Sequence, residues 1–146
     1  MILIRSWRGK ISVLGLEANG LAENSNTKEI QSTYEMAIER GINFFDLAGA
    51  NAEPFVPLGK AIKGKRDKVY LQVHFGAYYS DYKYGWTMDT KKIVKVVEQQ
   101  FKALDTDYAD FGFIQCIDQI AELESRKRRY TAITAPRARR GLISGW

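Results

Sequence analysis

Four short apolar runs, separated by segments with helical periodicity, restrict this chain to a small set of folds. The runs are rich in β-branched and aromatic residues, as strands are, and they recur about every 30 residues. Near-continuous apolar strands that alternate with helices are typical of a parallel sheet covered by helices. The sequence therefore predicts an α/β fold with strands at 11–16, 42–46, 69–75 and 108–117.

The segments between these runs predict three helices with recognisable starts. Asn26, followed by Glu29 three positions later, predicts a capping box, Pro54 is suited to open the second helix, and Asp89 can cap the third. The polar and aromatic segment 76–87 is predicted to be a loop. The apolar stripes predicted to face the sheet are Ile30, Tyr34, Ala37 and Ile38; Phe55, Leu58, Ala61 and Ile62; and Ile93, Val94, Val97, Phe101 and Leu104.

Two architectures accommodate four strand–helix units in this order. One is a small doubly wound sheet with helices on both faces, and the other is part of a (β/α)8 barrel. A whole barrel takes about 250 residues, so 146 residues hold only about half of one. Periodicity alone does not distinguish the two.

The composition excludes several other classes of protein. With 45% hydrophobic and 27% charged residues the chain is neither disordered nor collagen-like. No apolar run reaches the roughly 20 residues that span a bilayer, and the first residues do not resemble a secretory signal. The single cysteine, Cys116, excludes an internal disulfide and a four-cysteine zinc site. We therefore predict a cytoplasmic protein with no metal site and no membrane partner.

The positive charge lies at one end of the chain. Residues 126–146 hold seven of the 22 Lys and Arg residues and none of the 17 Asp and Glu residues. We therefore predict a folded unit over 1–125 and a basic tail over 126–146. A frameshift or early stop in a longer gene would produce such a change of composition, and so would a disordered terminus. A third alternative is a basic arm that contacts the phosphates of a nucleic acid, but so short a basic run is more typical of a solvated terminus.

Three stretches of the sequence resemble the aldo/keto reductase family. Residues 41–48, G-I-N-F-F-D-L-A, are similar to the family's G-I-N-F-F-D-T-A. Residues 58–69, L-G-K-A-I-K-G-K-R-D-K-V, are similar to its L-G-K-A-L-K-G-R-R-D-K-V. Residues 104–110, L-D-T-D-Y-A-D, match its L-x-T-D-Y-x-D signature. The resemblance implies the N-terminal (βα)4 half of a TIM-type (β/α)8 barrel.

The same resemblance implies NAD(P)H-dependent reduction of a carbonyl group by an Asp, Tyr, Lys and His tetrad. Carried over residue by residue, the four positions are Asp46, Asn51, His74 and Gln115, of which only Asp46 keeps the family residue. The resemblance also places Asp46 at the cofactor, together with Ala18 where the family often has Thr.

These replacements alter the chemistry that the site can perform. The Asn51 amide donates a hydrogen bond but cannot deliver a proton as a phenol does. The His74 imidazole, with a reference pKa of about 6.5, is an alternative proton donor beside Asp46, and Gln115 can still hydrogen-bond a carbonyl oxygen. We therefore expect a truncated or degenerate member of the family, a possible pseudoenzyme, with weak or no activity of its own.

Cofactor and partners follow from the half-barrel interpretation. The resemblance implies NADP(H) and a small carbonyl substrate, but the family's phosphate and adenine contacts come mostly from the second barrel half, so we expect little NADPH binding by this chain alone. Open edges of a half-barrel sheet predict a homo-oligomer. The alternative function is a non-catalytic oligomerising or binding module.

Overall fold

The structure is a computed structural model that describes residues 9–18, 21, 26–48, 53–80 and 83–114. Within these residues the chain forms six strands, three α-helices and one short 3-10 helix. The strands are β1 (Leu16–Glu17), β2 (Phe44–Leu47), β3 (Tyr70–Phe75), β4 (Ala77–Ser80), β5 (Lys83–Trp86) and β6 (Phe111–Ile114). The helices are α1 (Thr27–Glu39), α2 (Phe55–Ala61) and α3 (Thr90–Leu104), and the 3-10 helix covers Arg66–Lys68.

Four of the strands form one parallel sheet in the order β1-β2-β3-β6. Each strand therefore lies beside the next parallel strand of the chain, as it does around a barrel. A doubly wound sheet reverses its strand order at a switch point and carries helices on both faces. The described part of the sheet shows neither feature, which favours the barrel over the doubly wound alternative.

The core lies between this sheet and the helices. Phe45 and Leu47 of β2 and Leu71 and Val73 of β3 have no exposed surface, and they form one cluster with the apolar stripes of the helices. Because side chains alternate across a strand, these residues occupy one face of the sheet. The predicted stripes are confirmed, with Ile38 and Val94 at the half-buried margin.

The helix starts are also where the sequence predicts them. Asn26 accepts hydrogen bonds from the backbone N–H groups of Lys28 and Glu29, while the Glu29 carboxylate accepts from the Asn26 backbone N–H. Pro54 precedes α2, and the Asp89 carboxylate accepts from the Lys91 backbone N–H at the start of α3. The Asn26 and Asp89 side chains thus satisfy backbone donors that have no partner within the helix.

The opposite face of the sheet carries an aromatic layer, which we call the aromatic inner face and define as Phe44, Tyr70, Phe111 and Phe113. Ring centroids of Phe44 and Phe111 are 5.9 Å apart, and those of Tyr70 and Phe111 are 6.3 Å apart. Three of the four rings are half-buried, and Phe113 is 47% exposed. In the part of the chain that the structure describes, no helix covers this layer.

The first predicted strand is longer in the sequence than in the structure. Of residues 11–16 only Leu16 lies in a strand, and β1 pairs with β2 through Leu16 and Glu17 alone. The residues before it are held by Asn43 instead, whose side chain accepts from the Ser12 backbone N–H at 2.8 Å and donates to the Lys10 carbonyl at 2.9 Å. These side-chain bonds replace the sheet ladder there, so the predicted strand start was wrong.

The predicted loop 76–87 is instead mostly an antiparallel hairpin made of β4 and β5. Tyr78 lies opposite Gly85, and the Lys92 ammonium lies 3.3 Å from the centre of its ring. Tyr78, one of the aromatic residues of the predicted loop, thus makes a cross-strand contact and a cation–π contact.

The fourth predicted strand, 108–117, begins three residues late, at Phe111. The Tyr108 carbonyl accepts from Arg66 at 2.9 Å, and the Asp110 carboxylate accepts from the Leu71 backbone N–H at 2.9 Å. The Asp110 backbone N–H also donates to the Leu71 carbonyl at 2.9 Å, so this segment already lies beside β3, but side-chain bonds take part in its pairing and the regular strand starts only at Phe111. The end of this prediction, from 115 onward, lies outside the described residues.

Candidate functional site

Two titratable side chains meet where strands β2 and β3 end. Asp46 lies near the carboxyl end of β2 and His74 near that of β3. The register pairs Asp46 with Gln72, and His74 follows Gln72 by two residues, so all three side chains lie on the same side of the sheet as the aromatic inner face. The His74 Nε2 atom is 2.7 Å from the Asp46 Oδ1 atom. The two tetrad positions that the structure describes are therefore in direct contact.

Gln72 is a third member of this site that sequence reasoning missed. Its Nε2 atom donates a hydrogen bond to the same Asp46 oxygen, Oδ1, at 3.1 Å. The signal was present in the sequence, because residues two apart on a strand share a face and Gln72 precedes His74 by two. Its effect is to fix the Asp46 carboxylate in place from a second direction.

The electrostatic balance at Asp46 favours the carboxylate. Burial of the carboxyl group raises its pKa, but the hydrogen bond from His74, the charge of His74 and the hydrogen bond from Gln72 lower it by more, so the pKa lies below the ordinary aspartate value. At neutral pH this site therefore holds a negative charge directly against the His74 ring.

The two partners differ in their access to solvent. The His74 side chain is 10% exposed and the Asp46 side chain 29%. The His74 ring also packs against Phe113, with ring centroids 5.0 Å apart. An imidazole that is held by a carboxylate on one nitrogen and packed against an aromatic ring is oriented, and such an arrangement can hold or release a proton.

Asp46 also fits one part of a nicotinamide cofactor. Both of its hydrogen bonds use Oδ1, and Oδ2 has no hydrogen-bond partner within the described residues. A carboxylate oxygen of this kind accepts hydroxyl groups such as those of a ribose. Ala18 is 2% exposed and its backbone N–H donates to the Asp46 carbonyl, so its methyl group offers no polar contact. The described residues thus offer one carboxylate oxygen that could accept a hydrogen bond from a sugar hydroxyl.

Several sequence predictions lie outside the described residues. They are the tetrad positions Asn51 and Gln115, the thiol of Cys116 and the basic tail 126–146. Within the described ranges, no group of three or more His, Cys, Asp or Glu residues is arranged to hold a metal ion. Among the described helices, none combines the length and apolar character needed to cross a membrane.

Comparison with protein families identifies one match. The model of the aldo/keto reductase family matches residues 13–134, which is most of the chain. Comparison with curated protein sequences found no match.

Comparison with solved structures gives the same family. A Pseudomonas aeruginosa protein assigned to the aldo-keto reductases has a TM-score of 0.70 and 21% identity, over 90% of this chain and 52% of that one. An aldo-keto reductase from Bacillus halodurans, in its holo form, has a TM-score of 0.68 and 22% identity, over 91% of this chain and 46% of that one. An aldo-keto reductase from Klebsiella pneumoniae in complex with NADPH has a TM-score of 0.56 and 21% identity, over 84% of this chain and 42% of that one. The chain thus spans about half the length of the structures it matches.

Proposed function

Because the chain belongs to the aldo/keto reductase family, we propose that it carries one end of the active site of an NAD(P)H-dependent oxidoreductase that acts on small carbonyl compounds. The proposal includes weak or no activity of the 146-residue chain by itself. A cytoplasmic location is part of the proposal, supported by the presence of a single cysteine, which is usual in reducing compartments.

One observation carries this proposal: the 2.7 Å contact between Asp46 and His74 at the carboxyl ends of adjacent parallel strands. Active sites of barrel enzymes lie at this end of the strands. The contact joins the two positions at which the family carries its Asp and Lys. The site thus keeps the carboxylate of the family pair and replaces the ammonium group with an imidazole.

The role we assign to His74 is to supply the proton to the carbonyl oxygen. NAD(P)H, when bound, supplies the hydride that reduces the carbonyl carbon. The imidazolium of His74 gives one proton to the oxygen and becomes neutral imidazole, so the carbonyl becomes an alcohol and solvent restores the proton. The Asp46 carboxylate stabilises the charged ring until transfer.

The low expected activity has two supports. First, the part of a cofactor site that the described residues offer is the Asp46 carboxylate, which can accept from sugar hydroxyls. The matched structures are about twice as long as this chain, so the chain corresponds to only part of a complete reductase. Second, Asn51 and Gln115 stand where the family has Tyr and His, so proton transfer falls to His74 alone.

A complementation assay tests this function. NADPH consumption with small aldehydes and ketones is measured for the chain alone and for the chain mixed with the C-terminal half of the Bacillus halodurans relative. We expect the turnover rate of the chain alone to be at least about 100-fold below a typical enzyme rate of roughly 10 s⁻¹. The turnover rate of the assembled pair should be higher than that of the chain alone. The added rate should be lost in Asp46→Asn and His74→Gln.

The matched control is Glu17→Gln, which should leave the rate unchanged. Glu17 is an exposed carboxylate on β1 and is the register partner of Asp46 on β2. His74 is the only histidine, so an NMR titration of its ring tests the pair without turnover. Asp46→Asn should lower the pKa of His74, because the carboxylate favours the charged ring. An assembled pair that is inactive, or whose rate ignores both site variants, contradicts the proposal.

The second candidate function is a non-catalytic module that assembles through its sheet. The observation that favours it is the aromatic inner face, where Phe113 keeps 47% of its surface exposed. A stable oligomer that neither binds nor consumes NADPH would favour this function over the first.

A further inference from the structure

We propose that Gln72 is a positioning residue of the candidate site. Through one hydrogen bond it keeps the Asp46 carboxylate turned towards His74 while the His74 ring gains and loses its proton. The inference rests on the proposed oxidoreductase function and deepens it. In this role Gln72 acts on the reaction only through Asp46.

The first support is the place of Gln72 in the sheet. In register it lies between Asp46 on β2 and Phe111 on β6, and the same side of its own strand also carries Tyr70 and His74. Gln72 is half-buried there, and burying an amide costs free energy unless its hydrogen bonds are made. The Gln72 amide makes such a bond to the Asp46 carboxylate, at 3.1 Å. This bond therefore accounts for a polar side chain beside the aromatic rings.

The second support is the geometry at the Asp46 carboxylate. The His74 Nε2 atom lies 2.7 Å from Oδ1, and the Gln72 Nε2 atom donates to the same oxygen at 3.1 Å. A rotation that turns Oδ1 away from His74 would therefore break the bond from Gln72 as well. The bond from Gln72 thus fixes which oxygen of Asp46 faces the ring.

The third support is the different chemistry of the two donors. An imidazole nitrogen donates only while it carries a proton, so the bond from His74 depends on the protonation state and the tautomer of the ring. The Gln72 amide keeps both of its protons and can donate in every state of the ring. Proton transfer therefore changes one of the two bonds to Asp46 and leaves the other, so the carboxylate stays in place for the next proton.

An NMR titration of His74, the only histidine of the chain, tests this role without turnover. Gln72→Met keeps an unbranched side chain of similar length and removes the donor. A carboxylate that is no longer held stabilises the imidazolium less, so the pKa of His74 should fall, though by less than in Asp46→Asn. If Gln72 only drew negative charge from Oδ1, its removal would raise the pKa of His74. An unchanged or raised pKa therefore overturns the inference.

Two further variants show whether the effect passes through Asp46. When Asp46→Asn is already present, adding Gln72→Met should not change the pKa of His74 further, because residues that act as one unit are not additive. The matched control is Gln31→Met on α1, which removes an equivalent bond from a half-buried amide to the Glu35 carboxylate at 2.8 Å. It should leave the pKa of His74 unchanged. An equal fall with and without Asp46, or an equal fall in Gln31→Met, contradicts the assigned role.

A measurement on the unmodified chain guards against misfolding of Gln72→Met. Of the two protons on the Gln72 side-chain amide, the one that binds Asp46 should exchange with water more slowly. The difference should persist at pH values below and above the pKa of His74. Equal exchange of the two protons, or a difference that is present only while the ring is charged, would show that Gln72 does not hold the carboxylate throughout.

The complementation assay then measures the effect on the reaction. Gln72→Met should lower kcat of the assembled pair about 10-fold or more, because a small displacement of a catalytic group is costly, and Gln31→Met should not. An active pair that keeps its full rate in Gln72→Met overturns this inference and leaves the proposed function standing. An inactive pair overturns the proposed function, while the NMR measurements report separately on whether Gln72 holds Asp46.

Discussion

Arg66 joins two turns at the amino-terminal ends of β3 and β6. Its guanidinium donates to the Thr106 hydroxyl at 3.1 Å, to the Tyr108 carbonyl at 2.9 Å and to the Asp110 carboxylate at 2.9 Å. It also lies 3.8 Å from the centre of the Tyr108 ring. Two of the stretches that resemble the family, 58–69 and 104–110, thus meet in one hydrogen-bond network. In barrels, residues at the amino-terminal ends of the strands contribute to stability, and residues at the carboxyl ends contribute to catalysis. We therefore assign this network a role in the stability of the fold and none in the reaction.

Arg66→Ala should lower the free energy of unfolding by about 3 kcal/mol, because it leaves the Asp110 carboxylate, 7% exposed, without its counter-charge. Arg66→Lys should recover only part of this loss, since an ammonium group cannot make the same fork of hydrogen bonds. Urea unfolding gives the measurement. Lys68→Ala, an exposed basic residue on the same 3-10 helix, is the control and should change little. Equal losses in the Arg66 and Lys68 variants would rule out the network as a source of stability.

Asp46 predicts a pH dependence of stability at the opposite end of the strands. An unfolded aspartate has a pKa of about 3.9, and in the fold the pKa of Asp46 is lowered. A lowered folded pKa stabilises the fold above pH 4, and this contribution is lost as the pH falls through the folded value. The unmodified chain should therefore exceed Asp46→Asn in stability by about 1–2 kcal/mol at pH 6, with the difference shrinking towards pH 3. Urea unfolding at both pH values measures it, and a difference that is constant or grows at pH 3 would reverse the assigned sign.

At the scale of elements, α2 and α3 approach each other at Gly59. A Cβ atom at this position would lie 2.8 Å from the backbone carbonyl carbon and oxygen of Leu104. Helix propensity alone favours Gly59→Ala by about 1 kcal/mol. The clash is with backbone, so the helices must separate, and overpacking of this kind costs about 1–3 kcal/mol. We therefore expect a net loss of stability in thermal unfolding, whereas Lys60→Ala, exposed on the same helix, should be neutral. A stabilised Gly59→Ala would mean that the helices have room to separate.

The same elements show how far the sequence predicts this fold. Helix caps and apolar stripes are local signals, so the starts of α1 and α3 follow directly from Asn26 and Asp89. The strand ends depend on side chains distant in sequence, such as Asn43 bound to Ser12, and periodicity does not contain those contacts. The hairpin of β4 and β5 was missed because the sequence of these two strands is polar and aromatic, a composition that predicts a loop.

The candidate site was predictable in part for a similar reason. Asp46 and His74 follow apolar strand residues, and the carboxyl ends of parallel strands meet at one edge, so their proximity follows from the fold. The lowered pKa of Asp46 and the role of Gln72 need the register of β2 against β3, which the sequence does not specify.

For the whole molecule, the second candidate function, assembly of copies through the sheet, makes the protection of the edge strands depend on concentration. In the described sheet β2 and β3 have a strand on each side, whereas β1 and β6 have a strand on one side. The outer N–H groups of an open edge strand exchange freely with water, and in an assembly joined at the sheet edges they pair with a strand of another copy. Peptides spanning Phe44–Leu47 and Tyr70–Phe75 should therefore exchange slowly at any concentration.

The peptide spanning Phe111–Ile114 should instead exchange more slowly as the concentration rises. Hydrogen-exchange mass spectrometry at concentrations below and above the midpoint of assembly makes this measurement. In Phe113→Asp, which keeps the strand but places a charge on the aromatic inner face, β6 should exchange at the fast rate throughout. If β6 is equally protected at both concentrations in the unmodified chain, its edge is covered within one copy and copies do not assemble through it.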